Sequence, residues 1–356
     1  MNNMDQVDAL MKQGIADGVF PGGVLLVARS EKVLFFHAYG QANIYTGRKI
    51  NIDTVFDLAS LTKPLATTLA VMMMIQEHRL SLAQQVAGIM SEFEDTDKAG
   101  IQIEHLLTHV SGLPDYRPYY KELSRYPLSE RKFRLAALIR NEPLLHPAAE
   151  KTIYSDIGFM LLALLVEKIT GSRLEDAVRH NVYQPLGIDD LFFIDTRAPK
   201  LSLDFAATED CPWRQTVLEG LVHDENAYAL GGAAGHAGLF GTAESVYKLL
   251  LRLLKMFHGA DDLFAPTLVR KFLSPQSGRS RALGFDMPSP NDSSAGDFFK
   301  TKTTVGHLGF TGTSFWMALD QDLIVILLTN RIHPSRANEA IKTFRPRLHN
   351  AIMTSI

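Results

Sequence analysis

A mixed α/β (α+β) fold is predicted: an antiparallel sheet formed from both chain ends, flanked by helices, with an inserted, mostly helical subdomain. Three observations predict it. Strand-like patterns occupy residues 22–29 and 32–39, strand-like patterns return at 303–308, 313–319 and 323–329, and helical periodicity dominates between 61 and 181. Strands at both ends with helices between them combine most simply into one sheet beside which the helices pack. The expected division is 1–58 plus 240–356 as the mixed α/β part and 59–239 as the mainly helical part, within one domain spanning 1–356.

The elements follow in order. Residues 5–17 have the spacing of an amphipathic helix, and the strands at 22–29 and 32–39, joined at Ser30-Glu31, read as a hairpin. Helices are predicted over 61–78, 103–110, 130–140 and 157–169, with 172–181 continuing the pattern and 335–352 closing the chain. The stretch 292–297, rich in Asp, Ser and Gly, is expected to be an exposed loop.

Composition narrows the function classes. The 356 residues, 46% of them hydrophobic, suffice for a large core, and a formal net charge of −3 gives no argument for a nucleic-acid partner. One cysteine, Cys211, excludes an intrachain disulfide and fits a reducing compartment; it is expected to be a buried thiol. The stretch Met1-Asn2-Asn3-Met4-Asp5-Gln6 lacks the basic and apolar regions of a signal peptide, and no apolar run reaches the length of a membrane span. A cytoplasmic protein with no membrane partner is the expectation.

Ser60-Leu61-Thr62-Lys63 carries the strongest chemical signal. At i and i+3 a helix sets a hydroxyl and an amine on one face, and an amine in a desolvated pocket can activate a hydroxyl. The same spacing recurs at Ser129…Lys132 and Ser245…Lys248. Ser129 reads as the N-cap of a charged helix, and Lys248 as a surface charge on a helix that begins near Thr242. Ser60 differs because it ends a strand-to-helix turn, and Lys63 is the sole charge from 61 to 75. Pro64 fits a first helical turn.

Acyl transfer needs a second proton-handling group and two N–H donors for the oxyanion. Tyr154-Ser155-Asp156 is a candidate for the first; the alternative makes Asp156 an N-cap and Tyr154 an ordinary aromatic. Gly306-His307-Leu308-Gly309-Phe310-Thr311-Gly312 is a candidate for the second; the alternative is a bulge or tight hairpin connection. Other signals carry less. His223, Asp224, Glu225 and His236 invite a metal reading, but three potential ligands in a row cannot all point inward, and His105 with His109 fits a packed helix end better than a metal pair. No metal or cofactor is assigned. The glycine-rich stretch 231–238 is expected to line a cleft. No GxSxG elbow exists, which disfavours an ordinary Ser-His-Asp hydrolase, and Arg173, Arg179, Arg345 and Arg347 read as solvated faces.

Ser60-x-x-Lys63, Tyr154-x-Asp156 and His307-x-Gly309 match, in order and approximate spacing, the three motifs of penicillin-recognising serine enzymes. The chain resembles the serine beta-lactamase-like superfamily over nearly its whole length. That superfamily holds class C beta-lactamases, DD-peptidases, D-aminopeptidases and related esterases. His105 to Pro114 and Gly238 to Glu244 add local likeness, and a loop similar to 222–238 recurs in a peptidase-like branch. The resemblance implies that Ser60 is the nucleophile, that Lys63 and Tyr154 share its deprotonation and protonation of the leaving group, and that the backbone N–H groups of Ser60 and Phe310 form the oxyanion hole. Asp156, His307 and Gly309 would contact substrate.

Two departures from the family pattern shape the expected activity. Asp156 stands where asparagine is usual, which favours an ammonium at Lys63 against burial and removes an amide donor. His307 stands where beta-lactamases use a lysine to hold the substrate carboxylate, and a neutral imidazole grips it less. The expected function is a serine hydrolase that forms an acyl-enzyme on a small ester, amide or D-amino-acid or wall-derived peptide. The alternatives are a slowly deacylating or non-catalytic penicillin-binding-like sensor, and a beta-lactamase. A small molecule or short peptide is the expected partner, and no oligomeric state is assigned.

Overall fold

The computed structural model describes residues 4–198, 201–276 and 280–356; Met1, Asn2 and Asn3, part of the N-terminal stretch considered above, lie outside them. The predicted hairpin forms from β1 (Gly22–Arg29) and β2 (Lys32–Asn43), the latter running on to Asn43 rather than ending at Tyr39. β3 (Arg48–Lys49) pairs with β2. β4 (Phe56–Asp57), β5 (Leu191–Phe193) and β8 (Leu239–Gly241) make a small sheet ordered β4-β8-β5, while β6 (Asp210–Cys211) and β7 (Thr216–Val217) form a ribbon. β9 (Thr304–Leu308), β10 (Ser314–Ala318) and β11 (Leu323–Thr329) complete the strands. The main sheet has six strands in the order β3-β2-β1-β11-β10-β9, every neighbouring pair antiparallel, so both chain ends build it as predicted.

The central strands read as apolar runs because both sheet faces are covered. Side chains alternate across a strand. Val24, Leu26 and Ala28 of β1, with Ile324, Ile326 and Leu328 of β11, enter the core shared with the helical part. Leu25 and Val27, with Leu323, Val325 and Leu327, enter a second core against the terminal helices Asp5–Ala16 and Ile341–Ser355. The register Leu25↔Leu327 and Leu26↔Ile326 keeps each face in step. Each fully buried aliphatic side chain stabilises by about 1.5–3 kcal/mol relative to its exposed state.

Several elements depart from the sequence reading. The run 61–78 opens as a 3₁₀ turn at Ala59–Leu61 and a π turn at Lys63–Thr67 before the α-helix Thr68–Gln76. The last helix starts at Ile341, not at 335. Its expected first turns are a loop in which Asn338 donates to the carbonyls of Gly18 and Val19. The stretch 172–181 divides into Leu174–Val178 and a π turn at Arg179–Tyr183. Ser129 is not an N-cap, because Leu128–Asn141 begins before it with Pro127 at the cap. The loop at 292–297 is only partly exposed: Ser293 and Ala295 are buried, and Ala295 joins the second core. Lys248 is half-exposed and pairs with Glu244 in the helix Ala243–His258, which Thr242 and Ser245 cap. Cys211 is buried and free. Among the described residues no helix is long and apolar enough to cross a membrane.

Candidate active site

Ser60 sits where β4 gives way to the helical segment, and the local backbone is tightly determined. Ala59 has φ +48°, a conformation that costs a non-glycine residue free energy and persists only where its surroundings hold it. Here the buried Asp57 carboxylate accepts the Ala59 N–H at 2.9 Å and the His223 N–H at 2.7 Å, and Thr62 Oγ1 donates to the Ala59 carbonyl at 2.6 Å. The π turn that follows widens the helix at its start, a device often found at functional sites.

Lys63 is fully buried, and its three donors are all taken. Nζ donates to Ser60 Oγ at 3.0 Å, to Asp156 Oδ1 at 2.7 Å and to the His236 carbonyl at 3.2 Å. Burial by itself would lower its proton affinity, but the charges of Asp156 and Tyr154 and their hydrogen bonds outweigh burial and raise it. The ammonium is thus the resting form. The Tyr154 ring centroid lies 4.8 Å from Nζ, and Tyr154 lines the cleft beside Ser60. Burial pushes the Tyr154 hydroxyl up, Lys63 opposes this and Asp156 reinforces it.

Tyr154 and Asp156 come from the turn into the helix Asp156–Thr170, whose N-cap is Ser155: its side chain accepts the Gly158 N–H at 3.1 Å. With the cap role filled by Ser155, the Asp156 carboxylate is left for Lys63. His109 supports the turn from beneath. Its Nδ1 accepts the Ser155 N–H at 2.9 Å and its ring packs 4.6 Å from Tyr154; burial, then the charges of Arg281 and Lys63, holds it neutral. His105 Nδ1 accepts the Gln102 N–H in a capping box, so the two histidines serve separate local roles.

The opposite wall is the β9–β10 turn. His307 is 2% exposed, with Nδ1 2.9 Å from the Leu308 carbonyl and Nε2 without a hydrogen-bond partner. Burial and the charges of Lys63 and Arg281 hold it well below the ordinary histidine range, hence neutral. Gly309 has no room for a side chain, since an added Cβ would lie 2.0 Å from Thr313 Oγ1 and 2.7 Å from the Leu58 carbonyl. Gly309 N–H donates to the Thr313 carbonyl at 2.7 Å, so the segment is a tight hairpin connection that also lines the cleft. Phe310 is held by its carbonyl, which accepts from Arg331 Nε at 2.9 Å and Nη2 at 2.6 Å, and its ring lies between Arg331 and His223.

These pieces surround a cleft of about 620 Å³ lined by Ser60, Tyr154, Asp156, His307, Gly309 and Phe310. Lys63 stands behind Ser60 rather than on the cleft surface. Of the glycine-rich stretch 231–238 expected to line the cleft, His236 and Ala237 do so, joined by His223, Asp224 and Glu225 from just before it. Its side chains pair off: His236 Nε2 lies 2.8 Å from Asp224 Oδ1, and His223 Nε2 lies 3.2 Å from Glu209 Oε2, which Arg336 also holds. Among the described residues no group of three or more His, Cys, Asp or Glu is arranged to hold a metal.

Sequence reading missed the cleft arginines. Arg281 lies 5.2 Å from the Tyr154 ring centroid and pairs with Asp286, whose backbone bridges Gly306. Arg345 is not on a solvated face: it is 5% exposed and lines the cleft. Its spacing carried the signal, because Ile341, Arg345, Leu348 and Ile352 share one buried helix face.

The fold and this cleft define a hydrolase of the beta-lactamase-like and penicillin-binding-like class. A family model described as Beta-lactamase matches residues 7–345, and the chain belongs to that family. It is 31% identical over 361 residues to the N-acetylmuramyl-L-alanine amidase of Bacillus subtilis (strain 168), covering 92% of this chain and 81% of the relative. A protein of Escherichia coli (strain K12), provisionally named a D-alanyl-D-alanine carboxypeptidase, is 29% identical over 363 residues, covering 94% and 83%. Among solved structures, EstCE1, described as a hydrolase with promiscuous acyltransferase activity, superposes with a TM-score of 0.74 at 23% identity, covering 97% of this chain and 98% of the other.

Proposed function

We propose that the protein is a serine hydrolase that cleaves a small ester, amide or D-amino-acid or wall-derived peptide through an acyl-enzyme on Ser60. The observation that carries this reading is the 3.0 Å contact between Lys63 Nζ and Ser60 Oγ at the cleft floor, with Asp156 2.7 Å from the same nitrogen. The relatives' names, an amidase and a carboxypeptidase, support acyl transfer at a wall-derived amide.

In this reading Ser60 Oγ attacks the carbonyl carbon while its proton passes to the Lys63–Tyr154 pair. The attacked oxygen becomes negative between the backbone N–H groups of Ser60 and Phe310, neither of which donates to a carbonyl in the turns and loops among the described residues. The pair returns a proton to the leaving group, and water then attacks the acyl carbon and restores Ser60. Asp156 is the carboxylate that can take a proton from Lys63 when Ser60 gives one up. A neutral His307 offers no charge to a substrate carboxylate, which argues against efficient beta-lactamase activity.

A second reading is favoured by one observation. A Lys63 held as ammonium is a poor base for the deacylating water, so Ser60 could stop at the acyl stage and report a ligand. A burst assay with p-nitrophenyl acetate and butyrate, followed by intact mass, separates the two. Steady turnover that falls by about 10⁴–10⁶ in Ser60→Ala supports the hydrolase. A stoichiometric adduct without turnover supports the sensor, and a Ser60→Ala protein that still forms the adduct defeats both. Rapid nitrocefin hydrolysis would instead establish a beta-lactamase.

A further inference from the structure

Beside the cleft lies an aromatic cluster that the acyl-transfer chemistry does not use. Trp213 is 44% exposed and Tyr116 is 37% exposed, while Tyr120 and Tyr228 are half-buried. Trp213 meets Tyr120 edge to face at 4.9 Å and Tyr228 at 5.9 Å. Arg214 lies over two of these rings, 5.0 Å from the Trp213 centroid and 4.2 Å from that of Tyr228. Its guanidinium donates to the carbonyls of Val222 and His223 at 2.8 and 3.1 Å, so the cation that braces the rings is itself pinned to the segment running into the cleft. Asn226, fully buried, fixes the other side. Its side chain accepts the Tyr120 N–H at 2.8 Å and donates to the Arg117 carbonyl at 2.9 Å. Three parts of the chain therefore converge here: residues 116–120, the turn between β6 and β7, and the short helix Glu225–Ala229. Rings clamped in this way lose little freedom when a ligand covers them.

We infer that Trp213, Tyr120 and Tyr228, with Tyr116, form a platform on which a sugar ring of the substrate stacks. Tyr116, Asp224 and Glu225 line the same cleft as Ser60, so the platform is continuous with the reacting centre. A large apolar face left in water and rimmed by polar groups marks a place where something binds. A pyranose matches both halves of this surface: its C–H groups rest against the negative face of an aromatic ring, and its hydroxyls need acceptors. Asp224 and Glu225 supply the acceptors, since carboxylates take short, strong hydrogen bonds from hydroxyls. Each already faces a basic group, Asp224 the Nε2 of His236 and Glu225 the guanidinium of Arg336. Arg214 likewise already fills the cation's place over the rings. These pairings fit a neutral, hydroxyl-rich group better than an ion. The inference rests on the Ser60 hydrolase reading and narrows its substrate to acyl compounds that carry a sugar, such as a wall-derived peptide still joined to its amino sugar.

The chain has two tryptophans, and the other, Trp316, is only 1% exposed, so acrylamide quenching of tryptophan fluorescence reads Trp213. The test titrates N-acetylmuramyl-L-alanyl-D-isoglutamine against N-acetyl-L-alanyl-D-isoglutamine, which share the dipeptide and differ in the sugar. Measured on Ser60→Ala, which cannot consume either ligand by the proposed route, the result does not depend on turnover. The sugar-bearing ligand should protect Trp213 saturably and bind about tenfold more tightly than the sugar-free one. Tyr120→Leu, which keeps the fluorophore, should cut that advantage by about two- to tenfold. Equal affinities, no protection by the sugar-bearing ligand, or an advantage undiminished in Tyr120→Leu would each overturn the platform. If Tyr120→Leu does not fold, the comparison of the two ligands decides alone. Protection that grows with protein concentration in the absence of ligand would place a second copy on these rings and overturn the inference. Ester turnover by Ser60→Ala equal to that of wild type would defeat the hydrolase reading separately, leaving the fluorescence comparison to decide the platform.

Discussion

The two walls of the cleft treat charge in opposite ways. On the wall built from the helical segment Lys63 pairs with Asp156 and its proton donors are fully used, while Asp224 meets His236 Nε2 and leaves His236 Nδ1 without a hydrogen-bond partner. On the wall built from β9 and the last helix, Arg331 and Arg345 donate only to carbonyls, and His307 is neutral with a bare Nε2. The first wall is a network of paired groups around Lys63. The second is open in that its arginines hydrogen-bond to carbonyls alone. In the proposed hydrolase reading, the chemical step is preorganised on the first side.

The largest effect expected from breaking this division comes from the turn where the walls meet. Gly309→Ala would drive a Cβ into Thr313 Oγ1 and the Leu58 carbonyl, the second of which is backbone and cannot swing away. The turn must shift, and the Phe310 amide with it. Ester kcat should fall by about a hundred- to a thousandfold, the usual loss for one oxyanion donor, while acylation by a reactive phosphonate persists more nearly intact. A kcat within a fewfold of wild type would show that the Phe310 amide has no part in the reaction.

The two walls were also unequally legible. Ser60, Lys63, Tyr154 and Asp156 stood out because a charge interrupting an apolar helix and a polar turn before one are local anomalies, and the structure brings all four together. The sheet was readable because strands covered on both faces are continuous apolar runs, as in Leu323–Thr329. Arg331 and Arg345 were not, since an arginine near the end of a chain looks the same whether it meets solvent or a cleft. Only the helix face shared with Ile341 and Leu348 marked Arg345. His109 was equally silent, because its role depends on Tyr154 and Ser155, which arrive from more than forty positions away. The small β4-β8-β5 sheet escaped notice because its strands have two or three residues.

A smaller effect is expected at the closed wall. Asp156→Asn keeps an oxygen that can accept from Lys63 but removes the charge that outweighs burial there. The variant should lose about 1–3 kcal/mol of stability, the cost of weakening a hydrogen bond to a buried charged group. Lys63 should release its proton more readily, so the alkaline part of the pH–rate profile should move to lower pH. A profile that superimposes on wild type would show that Asp156 does not govern the protonation of Lys63.

The open wall should make itself felt in acid. His349, fully buried on the last helix near Arg345, is held down to about 3 from an ordinary 6.5, first by burial and further by Arg345, against one hydrogen bond to the Ser294 carbonyl. His307 is displaced in the same direction. Each takes a proton in the unfolded chain near 6.5 but stays neutral in the fold, so its contribution is complete above that pH and is lost as the pH falls toward the folded value. The slope is about 1.4 kcal/mol per pH unit for each such proton once the pH is well below 6.5. Urea unfolding at pH 7.5, 6.0 and 5.0 measures it. His349→Gln removes one of these protons and should flatten the decline by that one increment, with the helix and its neighbours otherwise retained. Identical slopes for the variant and wild type would mean that His349 already carries its proton in the folded protein, and that the open wall tolerates a further positive charge beside Arg345.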